Sequence, residues 1–199
     1  MENFGPDLIA RVGEQAPGVR LCFVQKSNKG SGPLRDGTVD LETGVVGSTI
    51  GPEVRAQALF RDRFIGVVRM GHPLSQGEIT PARYAAGRHI LVSRRGQDKG
   101  PIDEALSSLD LQRQIVAIVG GFSAALALAR ASDLIASVPE RHTGNLRAGM
   151  HGFPLPVPVQ EITVSLLWHP RLHADPAHRW LRGCVREICA EQHLSLIHI

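Results

Sequence analysis

The chain alternates between short apolar runs and amphipathic segments. Apolar runs bounded by Gly, Pro or polar residues predict β-strands at residues 19–25, 39–46 and 64–68 and in RHILVS, RQIVAIVGG, LIASVPE and ITVSLLWHP. Helical spacing predicts helices in FGPDLIARVGEQ, around Leu34, and in PARYAAG, PIDEALSSLDL, FSAALALARASD and DPAHRWLRGCVREICAEQ, the last capped by Asp175. This alternation predicts βαβ units, mainly parallel sheets and an α/β fold. Because one small sheet cannot hold so many strands, we expect two α/β lobes.

Composition narrows the class of protein without naming one. The 199 residues are 43% hydrophobic and 21% charged, which is ordinary for a globular domain. The net charge of +3 is spread along the chain, so the basic residues give only weak support for nucleic-acid contact. The three cysteines, Cys22, Cys184 and Cys189, suggest no disulfide framework and are expected to be buried thiols. No apolar run of about 18 residues and no secretory signal is found, so we expect no membrane contact and a cytoplasmic location.

The sequence carries no recognisable catalytic or metal-binding motif. Neither GxSxG nor GxxxxGK[ST] occurs, and no carboxylates are paired by spacing. His169, His173 and His178 are close in sequence, but Pro170 and Pro176 interrupt the helical spacing that a metal site on one face would need. We therefore expect no catalytic centre, no metal and no cofactor.

Four loops are candidates for binding a small anion. In open α/β sheets, ligands lie beyond the carboxyl ends of strands, where helix N-termini offer free backbone N–H groups. This rule selects Met1 to Asn3, Gln25 to Lys29, Ser93 to Gly96 and Gly120 to Ser123. The candidate binding residues are Asn3, Gln25, Lys26, Ser93, Arg94, Arg95, Gly96, Phe122, Ser123 and His169.

Most of these candidates have a structural alternative. Arg94 or Arg95 could pair with a carboxylate, and strand alternation lets only one of them face the ligand. We prefer Arg94, and the alternative for either is a solvated surface arginine. Phe122 could stack on an aromatic ring or pack in the core, and Ser123 could bind the ligand or cap a helix. His169 could contact the ligand or close the end of its lobe.

Several segments together resemble one family. EQAPGVRLCF, PLRDGTVDLETGVVG, LFRDRFIGVVRMGHPLS, ASDLIASVPER and LLWHPRLHADPAHRWLR are similar, in order and spacing, to the effector-binding domain of LysR-type transcriptional regulators. The similarity runs from about Phe4 to Glu191. The ending LLWHPR…DPAHRWLR is similar to the branch whose effectors are often aromatic or phenolic acids and plant signals. Glu42 departs from the family pattern, which has small or apolar residues there, and is either a cleft group or a defect.

The resemblance implies a two-lobed, periplasmic-binding-protein-like (type 2) fold with crossing hinge strands. It assigns residues 1–59 and 161–192 to the first lobe and 60–160 to the second. Residues 193–199 are apolar and follow a helix that has already ended in polar residues, so the sequence itself predicts a non-native or disordered tail there. The resemblance also implies a first strand ahead of Met1, whose absence predicts reduced stability, and a helix-turn-helix domain that this chain lacks.

The implied function is that of a ligand-sensing regulatory domain. A small organic acid would bind between the lobes and shift the geometry of a homodimer or homotetramer on promoter DNA, which the helix-turn-helix domain would contact. The alternatives are a free-standing solute-binding protein, which shares the fold, and a small α/β enzyme.

Overall fold

The computed structural model describes residues 4–24, 30–47, 50–94 and 96–195, with side chains described as far as Glu191. The helices are α1 (Gly5–Gln15), α2 (Gly32–Asp36), α3 (Pro81–Ala85), α4 (Pro101–Ser107), α5 (Phe122–Arg130) and α6 (Pro176–Ser195). The strands are β1 (Glu42–Val45), β2 (Arg55–Asp62), β3 (Phe64–Arg69), β4 (Arg88–Val92), β5 (Gln114–Val119), β6 (Leu134–Pro139), β7 (Met150–Pro154) and β8 (Ile162–Trp168). The chain divides into two compact units, the first built from residues up to 61 and from 162 onward, the second from residues 62–161.

The first unit packs helices α1 and α6 on a small sheet. Its strands lie in the order β1-β8-β2, and β1 runs antiparallel to β8 with Glu42 opposite Leu167. Helix α1 buries Leu8 and Val12, four residues apart on one face, while the exposed Ile9 points away. The apolar core combines these with residues from β8 and α6: Phe4, Leu8, Val12, Leu166, Trp168, Cys184, Val185, Ile188 and Cys189.

The second unit is a five-stranded mixed sheet with helices on both faces. Its strands lie in the order β5-β4-β6-β3-β7. Strand β4 runs parallel to β5 and β6, whereas β3 runs antiparallel to β6 and β7. Helix α5 covers one face through Ala125, Leu126 and Ala129, and α3 and α4 cover the other through Tyr84, Ile102 and Leu106.

Successive side chains of strand β3 point to opposite faces of this sheet and pack in the clusters on both sides. Ile65 and Val67 pack with the α5 cluster, and Val68 packs with the α3–α4 cluster. Gly66 lies under the ring of Phe153, and a Cβ at position 66 would stand 2.3 Å from that ring. Glycine is therefore needed here because the aromatic ring lies directly against the backbone.

Two predictions about the sheets are wrong. Residues 19–24 form no strand: Val19 donates its N–H to Ala16 in a turn, and Val19, Phe23 and Val24 are 52%, 40% and 61% exposed. An apolar run becomes a strand only where a neighbour accepts its backbone hydrogen bonds. The sheets are also mixed rather than mainly parallel, because helix–strand alternation does not determine which strands become neighbours. The sequence also missed β7, whose segment MHGFP has little apolar signal.

Of the other local predictions, some are confirmed and some are wrong. Asp175 caps α6, since its Oδ1 accepts the N–H of His178 at 2.7 Å. Cys184 and Cys189 are buried free thiols, but Cys22 is exposed, contrary to the expectation for all three. Helix α6 continues to Ser195, three residues into the segment that the sequence assigned to a tail.

Candidate functional site

The loops after β4 and β5 lie side by side at one edge of the second unit's sheet. The two strands are parallel, with Val92 opposite Val119, and Ser93 donates its N–H to the carbonyl of Val119 at 2.9 Å. Ser93 to Gly96 and Gly120 to Ser123 therefore leave the sheet at neighbouring points. The structure brings together two of the four predicted loops.

The loop after β4 folds back on Ser93. The half-buried Ser93 accepts the N–H of Gln97 through Oγ at 2.8 Å, and Gly96 has a left-handed φ of +66°. Arg94, between them, is exposed and makes no hydrogen bond or ion pair within the described part of the chain. Its guanidinium is therefore available to an anion at this edge.

The loop after β5 opens helix α5 without a side-chain cap. Gly121 is the N-cap residue and Phe122 the first helical residue, so Ser123 is the exposed second residue and does not cap the helix. The alternative role of Ser123 as a cap is thus wrong, because the helix starts two residues earlier than that role requires. The first-turn N–H groups of α5 keep their positive partial charge for an external acceptor.

Phe122 packs against the hydrophobic core and also lies at this edge of the sheet. Its half-buried ring packs against the α5 cluster and meets Phe64 at 6.3 Å and His142 at 6.2 Å between ring centroids, edge to face in both cases. Such contacts fix the orientation of the ring.

A third loop, which the sequence analysis missed, reaches the same edge. Strand β6 runs parallel to β4, so residues 140–143 after Pro139 emerge beside Ser93 and Gly121. Asp62 holds this loop, since its carboxylate accepts the N–H groups of Arg141 and His142, each at 2.9 Å. The signal was present in the sequence, because Pro139 ends an apolar strand and is followed by the polar run ERHTG.

Asp62 is a positioning group for this third loop. Only 3% of Asp62 is exposed, and burial raises the pKa of its carboxyl despite the backbone N–H groups that oppose the shift. Thr143 fixes the loop from the other side by donating its hydroxyl to the carbonyl of Pro139 at 2.6 Å. We call this region the strand-end edge: Ser93, Arg94, Gly96, residues 120–123 and 140–143, with Asp62 and Phe64.

The remaining predicted residues are either outside the described part of the chain or in the first unit. Asn3, Gln25, Lys26 and Arg95 lie outside the described residues. His169 belongs to the first unit, where its Nδ1 accepts the N–H of Arg171 at 3.3 Å and caps a short 3₁₀ helix, Pro170–Leu172. Glu42 is half-buried at the start of β1.

The three neighbouring histidines have separate surroundings. His169 caps the 3₁₀ helix, His173 stacks on Trp168, and His178 is buried with Nε2 against the carbonyl of Asp40 at 2.9 Å. Among the described residues, no three His, Cys, Asp or Glu side chains are grouped as metal ligands would be. Within the same residues, no helix is both long and apolar enough to cross a bilayer.

Comparison with known proteins identifies the family. A family model described as the LysR substrate binding domain matches residues 2–190. The chain belongs to the LysR family. It is 33% identical over 181 residues to the HTH-type transcriptional regulator SyrM of Rhizobium meliloti, covering 89% of this chain and 55% of that protein. This LysR domain thus spans little more than half the length of that curated relative.

Solved structures agree with this LysR fold. The regulatory domain of MexT, a transcriptional activator in Pseudomonas aeruginosa, matches with a TM-score of 0.77 and 25% identity, covering 94% of this chain and 92% of that one. The BenM effector binding domain with its effector benzoate matches with a TM-score of 0.69 and 18% identity, covering 96% and 87%. The second likeness shows the fold alone. Together they confirm the predicted two-lobed, periplasmic-binding-protein-like α/β class.

Proposed function

We propose that this domain senses a small organic acid, of aromatic type, at the strand-end edge and so controls the activity of a LysR-type transcriptional regulator. The observation that carries the proposal is the meeting of three strand-end loops around the uncapped start of α5. Within the described residues, the start of that helix has no side-chain cap and Arg94 has no ion-pair partner, and both features favour a carboxylate. Phe122 offers an aromatic edge beside them.

Arg94 and Ser93 each offer a group that fits an acid, and Gly96 and Ser123 remain proposed contacts beside them. Arg94 would pair with the carboxylate, and the Ser93 hydroxyl can still donate a hydrogen bond while it accepts from Gln97. Residues 140–143 would contact the rest of the ligand. Asn3, Gln25, Lys26, Arg95 and His169 remain proposed contacts on the strength of the family resemblance.

The comparisons favour a regulator over the alternatives. The matched relatives carry the names of transcriptional regulators, and a structurally similar domain holds benzoate as its effector. We therefore place this domain outside the enzymes and outside free-standing solute-binding proteins. The full-length protein would act in the cytoplasm as a homodimer or homotetramer that contacts promoter DNA through a helix-turn-helix domain.

The effector would act by binding one conformation of the regulator more tightly than another. A ligand can shift such an equilibrium only by the difference between its affinities for the two states. Tight binding to this domain alone is therefore insufficient, and the response in the full-length regulator is a separate measurement.

Substitution at the two ends of β4 tests the site. Arg94→Gln removes a cation just after the strand, and Arg88→Gln removes one at its start, about 16–20 Å away along the strand. Calorimetric titration with benzoate, substituted benzoates and shikimate should show saturable binding. We expect Arg94→Gln to weaken that binding about tenfold, since a charge-assisted hydrogen bond is lost.

Arg88→Gln is the matched control, because Arg88 is also exposed and lies on the same strand. Its affinity should equal that of the unaltered chain. Arg95→Gln, measured alongside, decides which of the two arginines pairs with the acid. Equal loss in Arg88→Gln, or unchanged affinity in both Arg94→Gln and Arg95→Gln, would remove the arginine pair from the site.

A further inference from the structure

A groove in the first unit gathers four arginines. Its volume is about 610 Å³, and it is formed by the start of β2, the end of β8, the loop after it, and α6. The lining residues include no carboxylate: they are Arg55, Ala56, Gln57, Trp168, His173, Arg179, Arg182, Gly183 and Arg186. We call this the arginine groove.

Arg182 is a buried cation with no ion pair among the described residues. It is 7% exposed, and its guanidinium donates to the carbonyls of Leu172 at 3.1 Å and His173 at 2.9 Å and contacts the ring of His178. Carbonyls satisfy hydrogen bonds but do not neutralise a charge. A buried cation is ordinarily paired, so the guanidinium of Arg182 lacks the partner that burial usually requires.

The nearby carboxylates already have other partners. Asp175 acts on Arg182 through its charge, but its Oδ1 caps α6 by accepting the N–H of His178. Glu187 and Glu191, further along α6, both bind Arg11. Asp175 therefore acts on Arg182 only through its charge, and no carboxylate among the described residues forms an ion pair with Arg182.

Trp168 adds a buried donor that has no acceptor among the described residues. The indole is 6% exposed, and its Nε1 has no hydrogen-bond partner among the described residues. Arg182 lies over the ring at 4.6 Å from its centroid, and His173 stacks on it with an angle of 6° between planes. A buried N–H normally finds an acceptor, so the indole N–H is an unsatisfied donor in a residue that lines the groove.

The residues that line the groove lower one another's pKa values, as expected where positive charges are close together. Burial lowers the pKa of His173, and the charges of Arg55, Arg182 and Arg179 lower it further. Burial also lowers the pKa of Arg182, with a further contribution from Arg179. These groups destabilise one another as cations, so a multiply charged anion would relieve them together.

We propose that the arginine groove binds a small anion with two or more oxyanion groups, such as a diphosphate or a polycarboxylate. Arg182 and the Trp168 N–H would form the buried floor, and the exposed Arg55, Arg179 and Arg186 the rim. A small anion fits better than a nucleic-acid backbone because the arginines surround one concavity. A duplex is instead met by phosphate contacts along an extended surface. This site is independent of the strand-end edge and of the effector proposed for it.

Calorimetric titration of the chain with inorganic pyrophosphate, and separately with citrate, tests the groove and distinguishes the two kinds of anion. We expect saturable binding of at least one, weakening as salt rises. The double variant Arg179→Gln/Arg186→Gln, changed only at exposed positions, should bind at least about tenfold more weakly. Trp168→Phe, which removes the indole N–H but keeps an aromatic ring, should weaken binding about threefold.

Arg20→Gln is the matched control, since Arg20 is an exposed arginine of the same unit outside the groove. It should bind as the unaltered chain does, and circular dichroism should show every variant folded. Three outcomes overturn the proposal: no saturable binding of either anion, equal weakening in Arg20→Gln, or unchanged affinity in the double variant. A short DNA duplex that displaces pyrophosphate at lower concentration would also overturn it, by assigning the groove to a nucleic-acid backbone.

Discussion

Each unit holds a guanidinium with little exposure to solvent, and only one of the two is paired with a carboxylate among the described residues. In the second unit, the side chain of Arg113 is 1% exposed and binds Asp103 through Nε at 2.7 Å and Nη2 at 2.9 Å. In the first unit, Arg182 contacts backbone carbonyls and the rings of His178 and Trp168, and it has no ion pair among the described residues. A carboxylate neutralises Arg113, although the Nη1 of Arg113 has no hydrogen-bond partner among the described residues. Arg182 has no carboxylate partner among those residues, and the proposed anion would supply its counter-charge.

The surroundings of Arg113 show what a purely structural arginine looks like here. Burial by itself would raise the pKa of Asp103, yet the hydrogen bonds and charge of Arg113 hold it below its usual value. Asp103 Oδ2 also accepts the N–H of Gly100 at 2.8 Å and so fixes the start of α4. Tyr84, buried beside this pair, donates or accepts a hydrogen bond with Ser137 at 2.8 Å. The two charged groups described here, Arg113 and Asp103, are therefore paired with each other.

Removing Asp103 should have the largest effect. Asp103→Ala leaves Arg113 as a buried charge without a carboxylate, and we expect the free energy of unfolding to fall by about 3–5 kcal/mol. Urea unfolding at pH 7 measures it. Glu104→Ala, at an exposed neighbour in the same helix turn, should change it by less than about 1 kcal/mol. The double variant Asp103→Ala/Arg113→Met should recover part of the loss, and no recovery would show that the pair's charge balance is not what matters.

Lowering the pH should destabilise the same cluster through a second residue, His89. Burial lowers the pKa of His89 to about 4, and its neutral Nε2 donates to the Tyr84 carbonyl at 2.8 Å. Because the unfolded chain takes up this proton near pH 6.5 and the folded chain only near pH 4, stability falls as pH drops through that window. The expected loss is about 3 kcal/mol for this group.

Urea unfolding between pH 7 and pH 4.5, compared with His89→Gln, isolates that contribution. Burial lowers the pKa of His72 as well, which acts in the same direction, and raises that of Asp62, which acts in the opposite direction. Both groups remain in the variant, so the difference between the two curves belongs to His89. Parallel curves would show that His89 titrates normally in the folded chain.

The sequence predicted the positions of helices and strands better than it predicted which strands pair with each other. Helix α1 and strands such as β4 follow local patterns of apolar residues, and these were assigned correctly. Residues 19–24 have a strand-like pattern but no partner in the described structure, and pairing is not written in a local pattern. The strand order β5-β4-β6-β3-β7 was beyond local reasoning for the same reason.

The two sites show the same limit: the parts that depend only on where strands end were predicted, and the parts that depend on strand pairing or long-range contact were not. The loops at Ser93 and Gly120 follow from a rule about strand ends, which needs only the strands themselves. The third loop, at residues 140–143, needs the knowledge that β6 lies beside β4. The arginine groove joins Arg55 to Arg182, far apart in sequence, so only folding shows that their charges meet.

Replacing Arg182 should have the smallest effect and is the sharpest test of the contrast with Arg113. Arg182→Met removes two backbone hydrogen bonds and the contact with Trp168, but it also removes a buried charge without a carboxylate. Because these changes oppose each other, we expect the free energy of unfolding to fall by no more than about 1 kcal/mol. Urea unfolding without pyrophosphate measures the change in stability. Urea unfolding with pyrophosphate measures the stabilisation by the anion, which we expect for the unaltered chain and not for the variant. A loss of about 3 kcal/mol, unaffected by pyrophosphate, would make Arg182 a structural arginine of the same kind as Arg113.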